Sequence, residues 1–404
     1  MEEKTPKYLV MVTGANNNKY YRMIPHGDSW TAEFGRVGAA PQTMNYPMRE
    51  WDKKYKEKIK KGYVDQTDLA ADLIEVEAEK GQSTYKEIES KVIAEIVERL
   101  QRMARDAVQA NYRVSANQVT QAMIDEAQSE IDGLLKIADV NAFNDALLKL
   151  FTVVPRKMAN VSDYLIRDAD SIPKTIQREQ DLLDVMKGQV FQKQKIEFDT
   201  EDEGDKADRT ILETLGLEFG ECTPEDVARI KSSLGSCADK FHAAWRVKNL
   251  KTQERFDKFV AENGIKDIRL LFHGSRNENW WSIINSGLVL RPTNAVITGK
   301  MFGYGIYYAP KAQKSLGYTS LSGSYWARGT SSSGFMALMD VAYGKPFDAY
   351  SFESRFSSLD YNGLQRLSPG ANCLHAHAGS MLRNDEIIVY KEEQSTIRYL
   401  VELK

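Results

Sequence analysis

Three residues of this 404-residue chain pair a reactive side chain with a strand-like setting. His273 ends the apolar run Ile268-Arg-Leu-Leu-Phe272. Tyr307 comes 34 residues later, inside Gly303-Tyr-Gly-Ile-Tyr-Tyr-Ala309, and Glu386 a further 79 on, at the head of Glu-Ile-Ile-Val-Tyr390. β-Branched and aromatic runs bounded by glycine read as strands, so three strands can present an imidazole, a phenol ring and a carboxylate to one cleft. The imidazole both donates and accepts hydrogen bonds. The phenol offers a stacking face, and the carboxylate can favour a positive charge that develops beside it. Taken singly, each has an ordinary alternative as a satisfied strand-end histidine, a packing tyrosine or a solvated edge glutamate.

The surrounding motifs narrow the reading. His273-Gly-Ser275, Met301-Phe-Gly-Tyr-Gly-Ile-Tyr307, Lys314-Ser315 with Tyr318, and Asn384-Asp-Glu-Ile-Ile-Val-Tyr390 occur in that order. Together they resemble the NAD-binding signature of the poly(ADP-ribose) polymerase family, with one residue more than usual between Asn384 and Glu386. The resemblance implies NAD+ as substrate and release of nicotinamide as ADP-ribose passes to an acceptor. It implies that Gly274 holds the nicotinamide amide through its backbone and that Ser275 and Ser315 line the same pocket. Tyr307 and Tyr318 would stack on the ring, and His273 would bond the adenosine-side ribose. Glu386 would hold the other ribose and orient the acceptor, with Lys314 assisting. Breaking that glycosidic bond passes through an oxocarbenium-like state, so positioning and charge stabilisation dominate and a metal is not required.

Other motifs fit less well. Gly303-Tyr-Gly-Ile-Tyr-Tyr lacks the third glycine of a dinucleotide fingerprint and opens a strand rather than a helix. Gly299-Lys300 does not have phosphate-loop spacing. His375-Ala-His377 could ligate a metal. Preceded by Pro369-Gly-Ala-Asn-Cys-Leu374, it reads as an exposed loop, and no metal is expected.

The elements that must position these residues follow from composition. At 42% hydrophobic and 27% charged residues, with a formal net charge of −3, the chain suits two or three packed domains and gives no overall basic signature. Cys222, Cys237 and Cys373 are scattered and form no Cys-x-x-Cys pair, which points to a reducing interior. The N-terminal residues carry no apolar leader, and no stretch is long enough to span a membrane, so no membrane association is expected. The localisation expected is intracellular: the nucleus in a eukaryote, nucleoid-associated cytoplasm for a bacterial or viral source.

Residues 1–66 read as strands (Lys7-Tyr-Leu-Val-Met-Val12, Tyr20-Tyr-Arg-Met-Ile24, Trp30-Thr-Ala-Glu-Phe34) closed by a basic helical run, Arg49 to Lys61. They hold 12 Lys and Arg against 8 Asp and Glu, a local net of +4. Residues 67–190 read as amphipathic helices, with capping-box tetrads at Thr84–Glu87 and Ser115–Gln118 and helix-breaking Pro155 and Pro173. An acidic linker, 191–210, leads to a strand-rich region, 211–404. The resemblance extends to this layout. Residues 1–66 resemble the family's WGR domain, a DNA-reading module whose signature tripeptide is here Phe34-Gly35-Arg36. Residues 67–190 resemble its regulatory helical domain, and 211–404 its ADP-ribosyltransferase domain.

The fold class expected is therefore multidomain α+β: a small mixed WGR-type domain, an all-α helical bundle and a split antiparallel β-sheet ADP-ribosyltransferase domain. The type implied is the short, DNA-dependent one without zinc fingers. Its partners would be DNA with strand breaks, bound at Phe34, Gly35 and Arg36, protein acceptors including the chain itself, and an accessory factor that completes the acceptor site. Mono(ADP-ribosyl) transfer from the same NAD site is the alternative activity, because Lys300 replaces an aromatic residue and the 344–386 segment is short. A DNA-end-binding scaffold with a vestigial transferase is a third reading.

Overall fold

Alternation of apolar and polar residues with turn residues between them builds the first sheet. The computed structural model describes residues 4–68, 85–112, 119–198, 209–290, 301–325, 327–379 and 382–404. Strands β1 (Lys7–Thr13), β2 (Asn17–His26), β3 (Ser29–Arg36), β4 (Gln42–Pro47) and β5 (Val64–Asp65) form an antiparallel sheet in the order β4-β3-β2-β1-β5. They include the three runs read as strands. Helix α1 (Trp51–Lys60) lays Trp51 edge-on against Trp30, ring centroids 5.3 Å apart, over Leu9, Tyr21, Met23 and Ala32.

Four longer helices follow: α2 (Lys91–Asn111), α3 (Gln121–Leu134), α4 (Val140–Val153) and α5 (Ile172–Phe198). Thr84 and the whole tetrad Ser115–Gln118 lie outside the described residues. The caps in the structure are Thr120, which accepts from the Met123 N–H at 3.1 Å, and Asp139, which accepts from Ala142 at 2.8 Å. Pro155 stands just beyond α4, where it ends the helix. Pro173 differs from expectation: it breaks nothing, because it lies in the first turn of α5, where a missing N–H has no helical partner to lose. The same helix continues to Phe198, and residues 199–208 of the acidic stretch lie outside the described residues.

By packing, the chain divides into two units, 1–82 with 105–193 and 83–104 with 194–404. In the first unit the segment after α4 is tied to the sheet. Buried Asn18 donates to the Arg156 carbonyl at 2.9 Å, and Arg36 donates to the carbonyls of Met158 and Ala159 at 3.1 and 2.7 Å. The Arg156 guanidinium pairs with Glu179 of α5, each side chain only 2% exposed, among the rings of Tyr112, Phe151 and Tyr164.

The second unit, mixed α/β with mainly antiparallel pairing, contains two sheets. Its elements are α6 (Ile211–Leu215), β6 (Leu217–Glu221), α7 (Pro224–Leu234), β7 (Phe241–Asn249), α8 (Leu250–Glu262), β8 (Ile268–Gly274), α9 (Trp280–Ser286), β9 (Ile306–Tyr308), α10 (Ala312–Leu316), β10 (Gly334–Ala342), β11 (Pro346–Ala349), α11 (Tyr361–Leu367), β12 (Cys373–Ala376), β13 (Glu386–Val389) and β14 (Ser395–Leu403). One sheet runs β6-β7-β14-β10-β8, all antiparallel; the other runs β11-β12-β13-β9, with β11 and β12 parallel. Every residue of β10 is buried, as a strand enclosed on both faces requires. Capping boxes form at Thr210 with Glu213 and at Thr223 with Asp226, and Ile230 and Leu234 of α7 join Met336, Leu338, Tyr399 and Val401 of β10 and β14 in one core.

A buried ion pair that loses one partner leaves the other charge unsolvated. Glu179→Ala should therefore lower the stability of the first unit by about 3–5 kcal/mol. Urea unfolding followed by circular dichroism measures this, and a midpoint equal to wild type would contradict the assigned role of the pair.

Candidate active site

The two sheets of the second unit join at one residue pair. Phe272 at the end of β8 and Ala309 just after β9 exchange both backbone hydrogen bonds, each 2.9 Å. Beyond this bridge the strands take different partners: His273 and Gly274 stay on β10, whereas Tyr307 and Tyr308 pair with Ile388 and Ile387 of β13. The candidate residues gather around the junction. His273 Nδ1 lies 3.1 Å from the Tyr307 carbonyl oxygen, and its ring is flanked by Trp280 and Tyr308 with centroids at 6.5 and 5.9 Å.

Glycines make the junction possible. A Cβ on Gly274 would lie 2.1 Å from the Ser315 carbonyl oxygen and 3.2 Å from Tyr318 Cβ, so only glycine lets β8 lie against α10. Gly303, with φ of +75°, brings its turn so close to Leu359 that a Cβ would sit 2.2 Å from that carbonyl oxygen. The same turn is bolted by two phenols. Tyr307 Oη accepts from the Phe302 N–H and donates to the Gly303 carbonyl, both at 3.1 Å, and Tyr390 Oη donates to the Phe302 carbonyl at 2.7 Å. The hydroxyl of Tyr307 is therefore used by the wall of the site, which fixes its ring.

Charge completes the arrangement. Lys314 Nζ of α10 forms an ion pair with Glu386 at the head of β13, the two side chains 16% and 13% exposed. Such shielding strengthens the pair relative to one in open water. Burial drives the Tyr318 hydroxyl up to about 12, and the Glu386 charge adds to the effect. Burial pushes Tyr307 higher still, partly opposed by the Phe302 N–H and reinforced by Glu386 and Tyr318. Both phenols stay neutral at physiological pH. Ser315 is buried at 4% exposure, with its carbonyl against Gly274. A fixed carboxylate beside two stacking faces and a cramped backbone can grip a planar amide, bind a sugar hydroxyl and stabilise a cation forming next to it.

The structure thus brings together His273, Gly274, Tyr307, Lys314, Ser315, Tyr318 and Glu386. Ser275 Oγ is committed to Asn279, which donates to it at 3.1 Å. Lys300 lies outside the described residues. Phe34, Gly35 and Arg36 belong to the other unit, at the end of β3. Phe34 stacks on Tyr21 with centroids 5.6 Å apart, and Arg36 also donates to Asn16 Oδ1 at 2.8 Å. The motif reading missed Asn277. Its backbone N–H donates to Ser320 Oγ at 2.9 Å, its side-chain amide donates to the Ser333 carbonyl at 3.0 Å, and its Oδ1 accepts from the Phe335 N–H at 3.3 Å. It clamps the turn after Gly274 to β10, a role that a single Asn in sequence does not announce.

Gly274→Ala must push β8 off α10. A displacement near 1 Å at reacting groups can cost about 100-fold in rate, and a loss of NAD turnover of at least that size is expected while the far-ultraviolet spectrum is unchanged. Turnover within a few-fold of wild type would show that the close contact is not needed.

Comparison with known proteins agrees with this geometry. The family profile described as the poly(ADP-ribose) polymerase catalytic domain matches residues 225–404. Two proteins of Invertebrate iridescent virus 6 are similar. The uncharacterised 101L is 34% identical over 186 residues, 45% of this chain and 76% of that protein. The poly(ADP-ribose) polymerase-like 100L is 33% identical over 162 residues, 39% of this chain and 83% of that protein. Poly(ADP-ribose) polymerase 2 of Zea mays is 24% identical over 381 residues, 82% of this chain and 56% of the maize protein. With the matched profile ending at the chain's last strand and 100L covered over most of its length, the chain belongs to the poly(ADP-ribose) polymerase family and is an NAD+ ADP-ribosyltransferase.

Proposed function

We propose that this transferase is a DNA-break-stimulated poly(ADP-ribose) polymerase that modifies protein acceptors, itself among them. The observation that carries the proposal is the shielded Glu386–Lys314 pair set beside Tyr307 and Tyr318. On this reading Gly274 and Ser315 hold the nicotinamide amide, Tyr307 and Tyr318 enclose its ring, and His273 bonds the adenosine-side ribose. The ring then leaves as a neutral amide with the electron pair of the broken glycosidic bond. Glu386 stabilises the sugar cation by holding a ribose hydroxyl whose hydrogen bond strengthens as charge develops. An acceptor hydroxyl forms the new bond to the anomeric carbon and passes its proton by way of the Glu386 carboxylate to solvent. A second ADP-ribose as acceptor extends a chain, and Glu386 is placed to orient it, with Lys314 offsetting the added negative charge.

DNA dependence rests on residues 1–190. Residues 1–66 are taken as a WGR-like reader and 67–190 as a regulatory helical domain that hinders NAD until broken DNA shifts its population. The exposed lysines of α1, Lys53, Lys56 and Lys60, supply cations for phosphates, and Arg36 anchors the strand end that carries the Phe-Gly-Arg signature. Among the described residues no helix is long and apolar enough to cross a membrane.

Glu386→Gln keeps the size of the side chain and removes its charge. It should abolish chain growth, leaving at most a single discrete shift of automodified protein, while NAD still protects the fold against heat. Ladders equal to wild type would remove Glu386 from the mechanism. Lys53→Gln, Lys56→Gln and Lys60→Gln combined should weaken binding to nicked DNA and flatten the salt dependence by roughly 2–3 in the slope of log K against log[salt]. An unaltered slope would place the DNA surface elsewhere.

A further inference from the structure

His375 and His377 do not occupy an exposed loop. His375 belongs to β12 and is 9% exposed, and the His377 N–H continues the ladder by donating to the Ala349 carbonyl at 2.9 Å. The third group comes from the parallel neighbour, where Asp348 of β11 is in register with His375. Two residues apart on a strand, the histidines share a face, and their rings stack with centroids 3.9 Å apart. One ligand atom from each of Asp348, His375 and His377 lies within 4.8 Å of the others.

The hydrogen bonds fix which atoms can serve. The Ala378 N–H donates to Asp385 Oδ1 at 2.8 Å, and the other oxygen of this carboxylate faces His375. In the tautomer whose Nε2–H donates to that oxygen at 3.0 Å, His375 Nδ1 keeps its lone pair. That lone pair lies 2.7 Å from the Tyr343 hydroxyl, its donor, and 3.9 Å from Asp348 Oδ1. His377 Nε2 lies 2.7 Å from the same Asp348 oxygen, sharing a proton with it. A histidine that donates its second N–H to a carboxylate is the arrangement that orients metal-bound imidazoles. Tyr350, stacked on His377 at 4.4 Å and 7°, walls the outer side.

From this geometry we propose that Asp348, His375 Nδ1 and His377 Nε2 bind a divalent ion of the zinc class. Two imidazoles and one carboxylate suit such an ion, with a fourth position left for solvent. Binding displaces the Tyr343 hydroxyl from Nδ1 and releases the proton shared by His377 and Asp348. Ala376 is opposite Glu386 and His375 opposite Ile387, so the ion sits on the sheet face away from the Glu386 side chain. Through Asp385 it would stiffen the strand entry that carries Glu386.

The test uses the whole chain, stripped with chelator and dialysed. Cobalt(II) titration should give one equivalent of visible absorption that zinc(II) displaces, and zinc alone should raise Tm by several degrees. His377→Gln and Asp348→Asn should each lose the cobalt spectrum and the Tm shift, whereas His242→Gln should keep both. In wild type, zinc should also shift the ring resonances of His375 and His377, a readout that needs no variant to fold. No uptake at about 100 µM zinc or cobalt, a Kd too weak for a built three-ligand site, would overturn the proposal, as would equal uptake by the His377 and Asp348 variants.

Discussion

Everything in the transferase unit depends on the double hydrogen bond between Phe272 and Ala309. It is the point where two otherwise separate sheets join, and it sets His273 against the Tyr307 backbone at 3.1 Å. One residue further, Gly274 lies against the Ser315 carbonyl so closely that no side chain fits. The pocket is therefore made by backbone approach, and the side chains that line it are hung on strands that cannot move independently. Packed β10 behind β8 resists any adjustment, because its whole length is buried.

Electrostatics then gives this scaffold its chemistry. Glu386 lies at the first residue of β13, where the ladder begins, and Lys314 reaches it from the short helix α10. The phenols of Tyr307 and Tyr318 are kept neutral by burial and by the nearby carboxylate, so the charge that matters sits on one residue. The Tyr307 hydroxyl holds the Phe302–Gly303 turn, and Tyr390 holds the same turn from β13's end. Stacking face and charge are thus preorganised by these bonds to the Phe302–Gly303 turn and by the Lys314 pair.

Much of this was legible in the chain itself. The apolar runs around His273, Tyr307 and Glu386 are strands because β-branched and aromatic residues cluster in them, and the motif resemblance implied that they share one cleft. What was not legible depends on partners distant in sequence. Asn277 matters only because Ser320, Ser333 and Phe335 converge on it, and no local pattern signals that. The His375-Ala-His377 pair looked incomplete because its third group, Asp348, is a carboxylate 27 residues earlier on a parallel strand. Pro173 looked like a breaker because composition does not reveal that it falls in a first turn. Thr210-Ile-Leu-Glu213 and Thr223-Pro-Glu-Asp226 carry capping boxes in plain view, but short helices give weak periodicity and leave such signals isolated.

The central claim is that one carboxylate-centred NAD site drives polymer growth under control of broken DNA. The most direct measurement incubates the wild-type chain with labelled NAD while nicked DNA is titrated in, and resolves the products on a denaturing gel. The account predicts a smear of automodified protein whose intensity and length rise with DNA. A single sharp band that ignores DNA, or no labelling at any DNA concentration, would contradict it.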